Sequence, residues 1–194
     1  FQVGCRQLAI EMKILPSVLQ VQHATRFQLC TVCHAVAFLQ SALAAKTYIW
    51  ATMTEELTAT IGVDIQAPAS AVWSALTDPD KIKLYLFGTH TVCDWHVGSS
   101  ITYSGEWQGK AYEDKGVILE SVPGERLVMT YWSSFSGVAD VPENYQKITY
   151  RLEPIAGGTR LTVVQEGHRS PEAKEHSQQN WRVVLDGLKK ILEG

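Results

Sequence analysis

"IQAPASAVWSALTDPDKIKLYLFG", residues 65 to 88, reads as two short helices in tandem. Pro68 suits a first helical position, where its missing N–H has no partner to lose, and Val72, Trp73 and Leu76 follow at helical spacing. Asp78-Pro79 restarts the chain, because an aspartate carboxylate can cap the exposed amides of a new first turn. Ile82, Tyr85 and Leu86 form the second apolar stripe, and Gly88 can end it. Helices this short need a surface to pack on.

The flanking sequence supplies one. Before the helices, "LTATIGVDIQ" alternates through Ile61, Val63 and Ile65, the pattern of a half-buried strand. After them come "THTVCDWHVG", "SSITYSGEWQ", "KAYEDKGVILESV", "ERLVMTYWSSF", "NYQKITYRLEP" and "TRLTVVQEG". Turn signals separate these segments at Val97-Gly98, Gln108-Gly109, Pro123-Gly124, a loop between Gly137 and Pro142, and Gly157-Gly158. This spacing predicts an antiparallel meander. Successive side chains of a strand point to opposite sides, so Ile101, Tyr103 and Trp107 share a face, as do Leu127, Met129 and Tyr131, and Ile148, Tyr150 and Leu152. Gly105 and Gly116 inside strands predict sharp local curvature.

The chain closes with a helix. Ser170-Pro171-Glu172 combines a cap, a first-turn proline and an acid near the positive helix end. Trp181, Val184, Leu185, Leu188 and Ile191 then make one apolar stripe, whereas Ala173 and Ser177 on its amino-terminal continuation are small or polar. A helix packed only along its carboxy-terminal half leaves room over the sheet beside its amino-terminal half.

Composition divides the chain near residue 53. Residues 1 to 52 hold one acidic side chain, Glu11, four basic ones, one Gly and three of the four Cys. The remainder holds 19 acidic and 13 basic side chains, 13 Gly and Cys93 alone. Residues 53 to 194 are therefore expected to form the folded domain, with Met53 read as its native start. Residues 1 to 52 are expected to be an extension, poorly structured or helical: translated upstream sequence, a targeting segment built on "AVAFLQSALAAK", or an amphipathic helix. Within it, Cys30, Cys33 and His34 have the C-x-x-C-H spacing of c-type haem attachment. Haem also requires an exported chain, a distal ligand and an enclosing pocket, and zinc requires a second ligand pair, so neither cofactor is expected and these residues should be dispensable. A net charge of −3 offers no electrostatic footing for nucleic acid or an anionic membrane. No apolar run reaches the roughly 18 residues of a membrane span.

Together, "IQAPASAVWSALTDPDKIKLYLFG", "ESVPGERLVMTYW", "ITYRLEPIAGGTRLTVVQEG" and "NWRVVLDGLKKILEG" resemble the SRPBCC superfamily with its START-like helix-grip fold. More narrowly, they resemble the family of the activator of the 90-kDa heat-shock chaperone's ATPase, in its short single-domain bacterial form. The likeness runs from about residue 57 to 193. It departs at Asn180, where members often carry Gly, and in "LYLFG", where a Trp is common. The resemblance implies an α+β helix-grip fold: a curved antiparallel sheet of about seven strands and two short helices, with a long C-terminal helix over a cavity.

The resemblance also implies a cytoplasmic module binding a small hydrophobic or aromatic ligand between sheet and helix. Ligand pockets are lined by large apolar groups with a few polar ones, and Tyr85, Phe87, Tyr103, Trp107, Tyr131, Trp132, Ser177 and Trp181 are the candidate lining. Two alternatives stand: a co-chaperone-like, stress-related regulator of the 90-kDa chaperone, and a cyclase-like or hydrolytic enzyme using polar cavity residues. For the enzyme, Asp94 and His96 lie two apart on an expected strand and would share a face as an acid/base pair or metal ligands, although the solvated face suits them too. His90, His168 and His176 read as loop or helix-surface residues, Glu106 as a surface residue, and Glu113 and Asp114 as neighbours on opposite faces. No nucleophile–base motif, phosphate loop or metal cluster is present, so no catalytic residue is assigned.

Overall fold

The computed structural model describes residues 57 to 194. The expectations for residues 1 to 52, including Cys30, Cys33 and His34, lie outside the described residues.

Strand β1 (Ala59–Ile65) leads into helix α1 (Ala69–Thr77) and helix α2 (Pro79–Tyr85). Pro68 sits one position earlier than expected, as the residue capping α1, and its carbonyl accepts from Ala71 and Val72 N–H at 2.9 and 3.2 Å. Asp78 joins the helices. Its N–H donates to Ser74 O at 2.9 Å to end α1, and its carboxylate accepts from Asp80 N–H at 3.0 Å to begin α2. Gly88 takes a φ of 80° and donates to Lys83 O at 3.0 Å, closing α2 where a glycine can adopt the left-handed conformation.

Strands β2 (His90–Cys93), β3 (Ser100–Trp107), β4 (Lys110–Val122), β5 (Arg126–Tyr131), β6 (Gln146–Ile155) and β7 (Gly158–Glu166) follow, before helix α3 (Pro171–Glu193). The sheet is seven-stranded and antiparallel in the order β1-β7-β6-β5-β4-β3-β2. Its bend lies in β4. The β4–β5 register shifts between Ile118 and Glu120, and Val117 N–H donates to the Thr130 hydroxyl at 2.9 Å instead of to a ladder carbonyl. At Gly116 a Cβ would lie 1.8 Å from the Thr130 carbonyl oxygen, so only glycine lets the two backbones approach this closely. A bulge beside a glycine increases local twist and coils the sheet.

The core forms on the concave face. Ile65, Ile101, Leu127, Leu161, Val163 and Leu188 are essentially fully buried there with Val72 of α1. Ser170 caps α3 by accepting from Ala173 N–H at 3.2 Å. The buried residues of α3 are Val184, Leu185 and Leu188, all in its carboxy-terminal half, while Ala173 is exposed. The strand expected over residues 89 to 98 ends at Cys93, because Trp95 adopts a left-handed φ of 61° and breaks the alternation.

Candidate functional site

Cross-strand neighbours project from the same side of a sheet, so the register places a row of side chains across the concave face. Thr91 of β2 lies opposite Tyr103 of β3, and Tyr103 opposite Asp114 of β4. Asp114 is 8% exposed, and its carboxylate is fully engaged. Oδ2 accepts from the Tyr131 hydroxyl at 2.7 Å. Oδ1 accepts from Ser133 Oγ and Ser134 N–H, both at 2.9 Å, and from Ser134 Oγ at 3.2 Å. Burial, and then the Asp114 charge, hold the Tyr131 phenol far above its ordinary range, so it stays a donor. Burial does the same to Tyr103, whose hydroxyl has only the Met129 sulfur, at 3.6 Å, as a partner among the described residues. Thr91, 3% exposed, has no partner for its hydroxyl among the described residues.

The row continues as a directed chain of hydrogen bonds. Trp181 Nε1–H of α3 and the Ser177 hydroxyl donate to Gln165 Oε1 at 2.6 and 2.8 Å. An indole nitrogen can only donate, so this Gln165 atom is the oxygen and its amide nitrogen faces Gln146 Oε1 at 2.7 Å. The Gln146 amide nitrogen then lies 3.1 Å from His168 Nδ1, which must accept. The His168 proton therefore resides on Nε2, which is buried and without a partner among the described residues. Burial first, then the Lys174 charge, lower the His168 pKa and favour the neutral ring. Tyr150 meets Trp181 edge to face, with centroids 5.7 Å apart.

An aromatic rim lies where the concave face runs out toward the β3–β4 hairpin. Phe87 and Trp107 meet edge to face at 5.5 Å, and Tyr112 and Phe135 are tilted at 5.7 Å. Tyr112 lies across Gly105, where a Cβ would come within 2.9 Å of its hydroxyl, which pairs with the Thr89 hydroxyl at 2.7 Å. Phe87, Trp107 and Phe135 are about half exposed.

The sequence-derived set thus divides. Tyr103, Tyr131, Ser177 and Trp181 belong to the row, and Phe87 and Trp107 to the rim. Tyr85 donates to Ala75 O at 3.1 Å and packs its Cβ toward Gly187 of α3, so it closes the helix junction beside Tyr103 and Tyr150. Trp132 faces the convex side, one residue beyond Tyr131: its indole donates to Val138 O at 3.3 Å, and Lys115 Nζ sits 5.4 Å from the ring centroid. Asp94 and His96 are exposed in the loop after β2, not paired on a strand, and no cluster able to hold a metal ion occurs among the described residues. His168, expected at the surface, is 6% exposed. Thr91, Asp114, Gln146, Gln165 and His168 also face this site, and spacing or motif in the sequence marks none of Thr91, Asp114, Gln146 or His168 for it. Gln165 carried a signal, a polar residue in step with Leu161 and Val163.

The profile of the family described as Activator of Hsp90 ATPase homolog 1-like protein matches residues 66–193, well over half of the chain. This chain belongs to that family. The AHSA1-like domain is 42% identical to a protein of Cytophaga hutchinsonii solved in solution, over 71% of this chain and 94% of that one, with a TM-score of 0.63. The Aha1 dimer of Colwellia psychrerythraea shares the AHSA1-like fold at 20% identity over 70% of this chain and 96% of that one, TM-score 0.56. DynU16, described as a protein of the dynemicin biosynthetic locus, shares the fold at 21% identity, TM-score 0.60, over 71% of this chain and 47% of that one. A comparison with curated proteins finds none that matches. No helix among the described residues of the AHSA1-like domain is long and apolar enough to cross a membrane.

Proposed function

We propose that the domain binds a small hydrophobic or aromatic molecule on the concave face, beneath the amino-terminal half of α3. The observation that carries this reading is the buried, unpartnered Thr91 hydroxyl in register with Tyr103 and Asp114. A buried hydroxyl without a partner costs about 1–3 kcal/mol, which a polar group on a ligand would relieve. Tyr103 stands beside it in register, and the concave face adds aromatic rings and a few polar groups, the kind of lining that small-molecule sites use. Tyr103, Tyr131, Ser177 and Trp181 supply that lining, with Phe87 and Trp107 at its mouth and Tyr85 behind it. A place for one relative in a biosynthetic locus accords with a small organic ligand.

The test is a thermal-shift and tryptophan-fluorescence screen of the full chain against hydroxylated aromatics and fatty acids, with mass spectrometry of whatever co-purifies. We expect a raised Tm with at least one aromatic class, and weaker binding of its hydroxylated members in Thr91→Val. Silence of the wild-type chain across the panel overturns the reading.

A second reading, regulation of the 90-kDa heat-shock chaperone in the cytoplasm, takes support from the family description and from a convex-face groove of about 570 Å3. Exposed Val117, Leu119 and Val141 line this groove beside the Lys115–Asp140 ion pair. Retention of the purified chaperone by the immobilised chain, lost in Leu119→Glu, would favour it over the carrier.

A further inference from the structure

At the end of the sheet away from the β3–β4 hairpin lies a separate cleft of about 380 Å3, which shares no residue with the row or the rim. Trp73 of α1, Asp94, Trp95, His96 and Val97 of the β2–β3 loop, and Pro123 of the β4–β5 turn line it. Two features set it apart from an ordinary surface dent. Trp95 is held at φ 61°, a conformation that costs a bulky residue about 1–3 kcal/mol, and its N–H donates to Cys93 Sγ at 3.2 Å across the turn. That turn brings its indole to the same cleft as Trp73. The second feature is charge. The exposed Asp94 carboxylate stands at the cleft without an ion pair among the described residues, His96 is the other ionisable group of the lining, and no lysine or arginine lines it.

Indole faces attract cations through the ring quadrupole, and an unpaired carboxylate adds a directed charge. A neutral apolar ligand would use the rings alone, an anion would be repelled by Asp94, and a cation would use the rings and the carboxylate together. We infer that this cleft binds a small organic cation, a quaternary or protonated amine, between Trp73 and Trp95 with its charge toward Asp94. The volume suits one such head group with short substituents. The site is independent of the concave-face ligand proposed above.

The full chain is titrated with choline and with its uncharged carbon isostere 3,3-dimethylbutan-1-ol at matched ionic strength, following the indole N–H resonances by NMR. Choline should shift the Trp73 and Trp95 signals saturably, and the isostere should bind at least about fivefold more weakly. Asp94→Asn, a surface change that the fold tolerates, should weaken choline about fivefold. Trp95→Gly, which relieves the left-handed backbone, should abolish saturation while the remaining spectrum stays folded. Absence of any shift at Trp73 and Trp95, equal binding of choline and its isostere, or undiminished choline affinity in Asp94→Asn would each overturn the proposal.

Discussion

Trp181 of α3 donates its indole N–H to Gln165 of β7 at 2.6 Å, and this bond sets the direction of every hydrogen bond from the helix to His168. Gln165→Leu leaves the Trp181 indole, the Ser177 hydroxyl and the Gln146 carbonyl without their partner. It should cost about 1–3 kcal/mol in urea unfolding. The Gln165→Leu, Trp181→Phe double variant should lose less than the sum of the two single changes, because residues in one network couple. Strict additivity would show that the bond contributes nothing.

The lowered pKa of His168 makes stability depend on pH in a defined window. Above its ordinary value of 6.5 the ring is neutral whether folded or unfolded, and the full stability is present. As pH falls through that value the unfolded chain takes up a proton that the folded chain resists, so stability falls until the lower folded pKa is reached. Unfolding in urea between pH 8 and pH 5 should show this loss. His168→Asn should have a shallower slope over the same interval, and an unchanged slope would place the titration elsewhere.

Gly116 and Gly62 separate a required glycine from a dispensable one. A Cβ at Gly116 meets the Thr130 carbonyl oxygen at 1.8 Å, a backbone atom that cannot swing away, whereas at Gly62 the nearest atom is the Thr162 hydroxyl at 3.6 Å. Gly116→Ala should therefore destabilise by about 3 kcal/mol or prevent folding. Gly62→Ala should stay within about 1 kcal/mol of the parent, measured by the same unfolding midpoint.

The two faces of α3 should respond differently to side-chain truncation, and its two halves to amide exchange. Leu185 is 2% exposed and Val183 is 56% exposed. Leu185→Ala should cost about 2–5 kcal/mol, and Val183→Ala about 0.5 kcal/mol or less. Amide exchange should be faster over residues 171–178 than over 184–190, since few buried contacts hold the first segment. Uniform protection along the helix would contradict the loosely packed amino-terminal half on which the concave-face proposal depends.

Much of the architecture was legible because short-range rules govern it. Alternation placed Ile101, Leu127, Met129 and Ile148 on the inner face, and the 3.6-residue period assigned Val184, Leu185 and Leu188 to the contact stripe of α3, although Ile191 is exposed and Leu192 packs against the core instead. Asp78 announced the junction of α1 and α2. Local rules failed where one residue departs from its neighbours' geometry. Trp95 turns left-handed and ends β2, which moves Asp94 and His96 off the strand on which they would have shared a face. Trp132 shared its composition argument with Tyr131, yet a single step along β5 sends it to the other side.

Sequence by itself determined the elements, their order and the family, because hydrophobic period, caps and turn residues act over a few positions and survive without knowledge of partners. Tertiary structure alone decided which polar groups meet. Asp114 with Tyr131, Gln165 with Trp181, and Gln146 with His168 are each brought together by strand register and helix docking across 16 to 22 residues of chain. A polar side chain shows its consequence only when burial removes water and one specific partner must replace it.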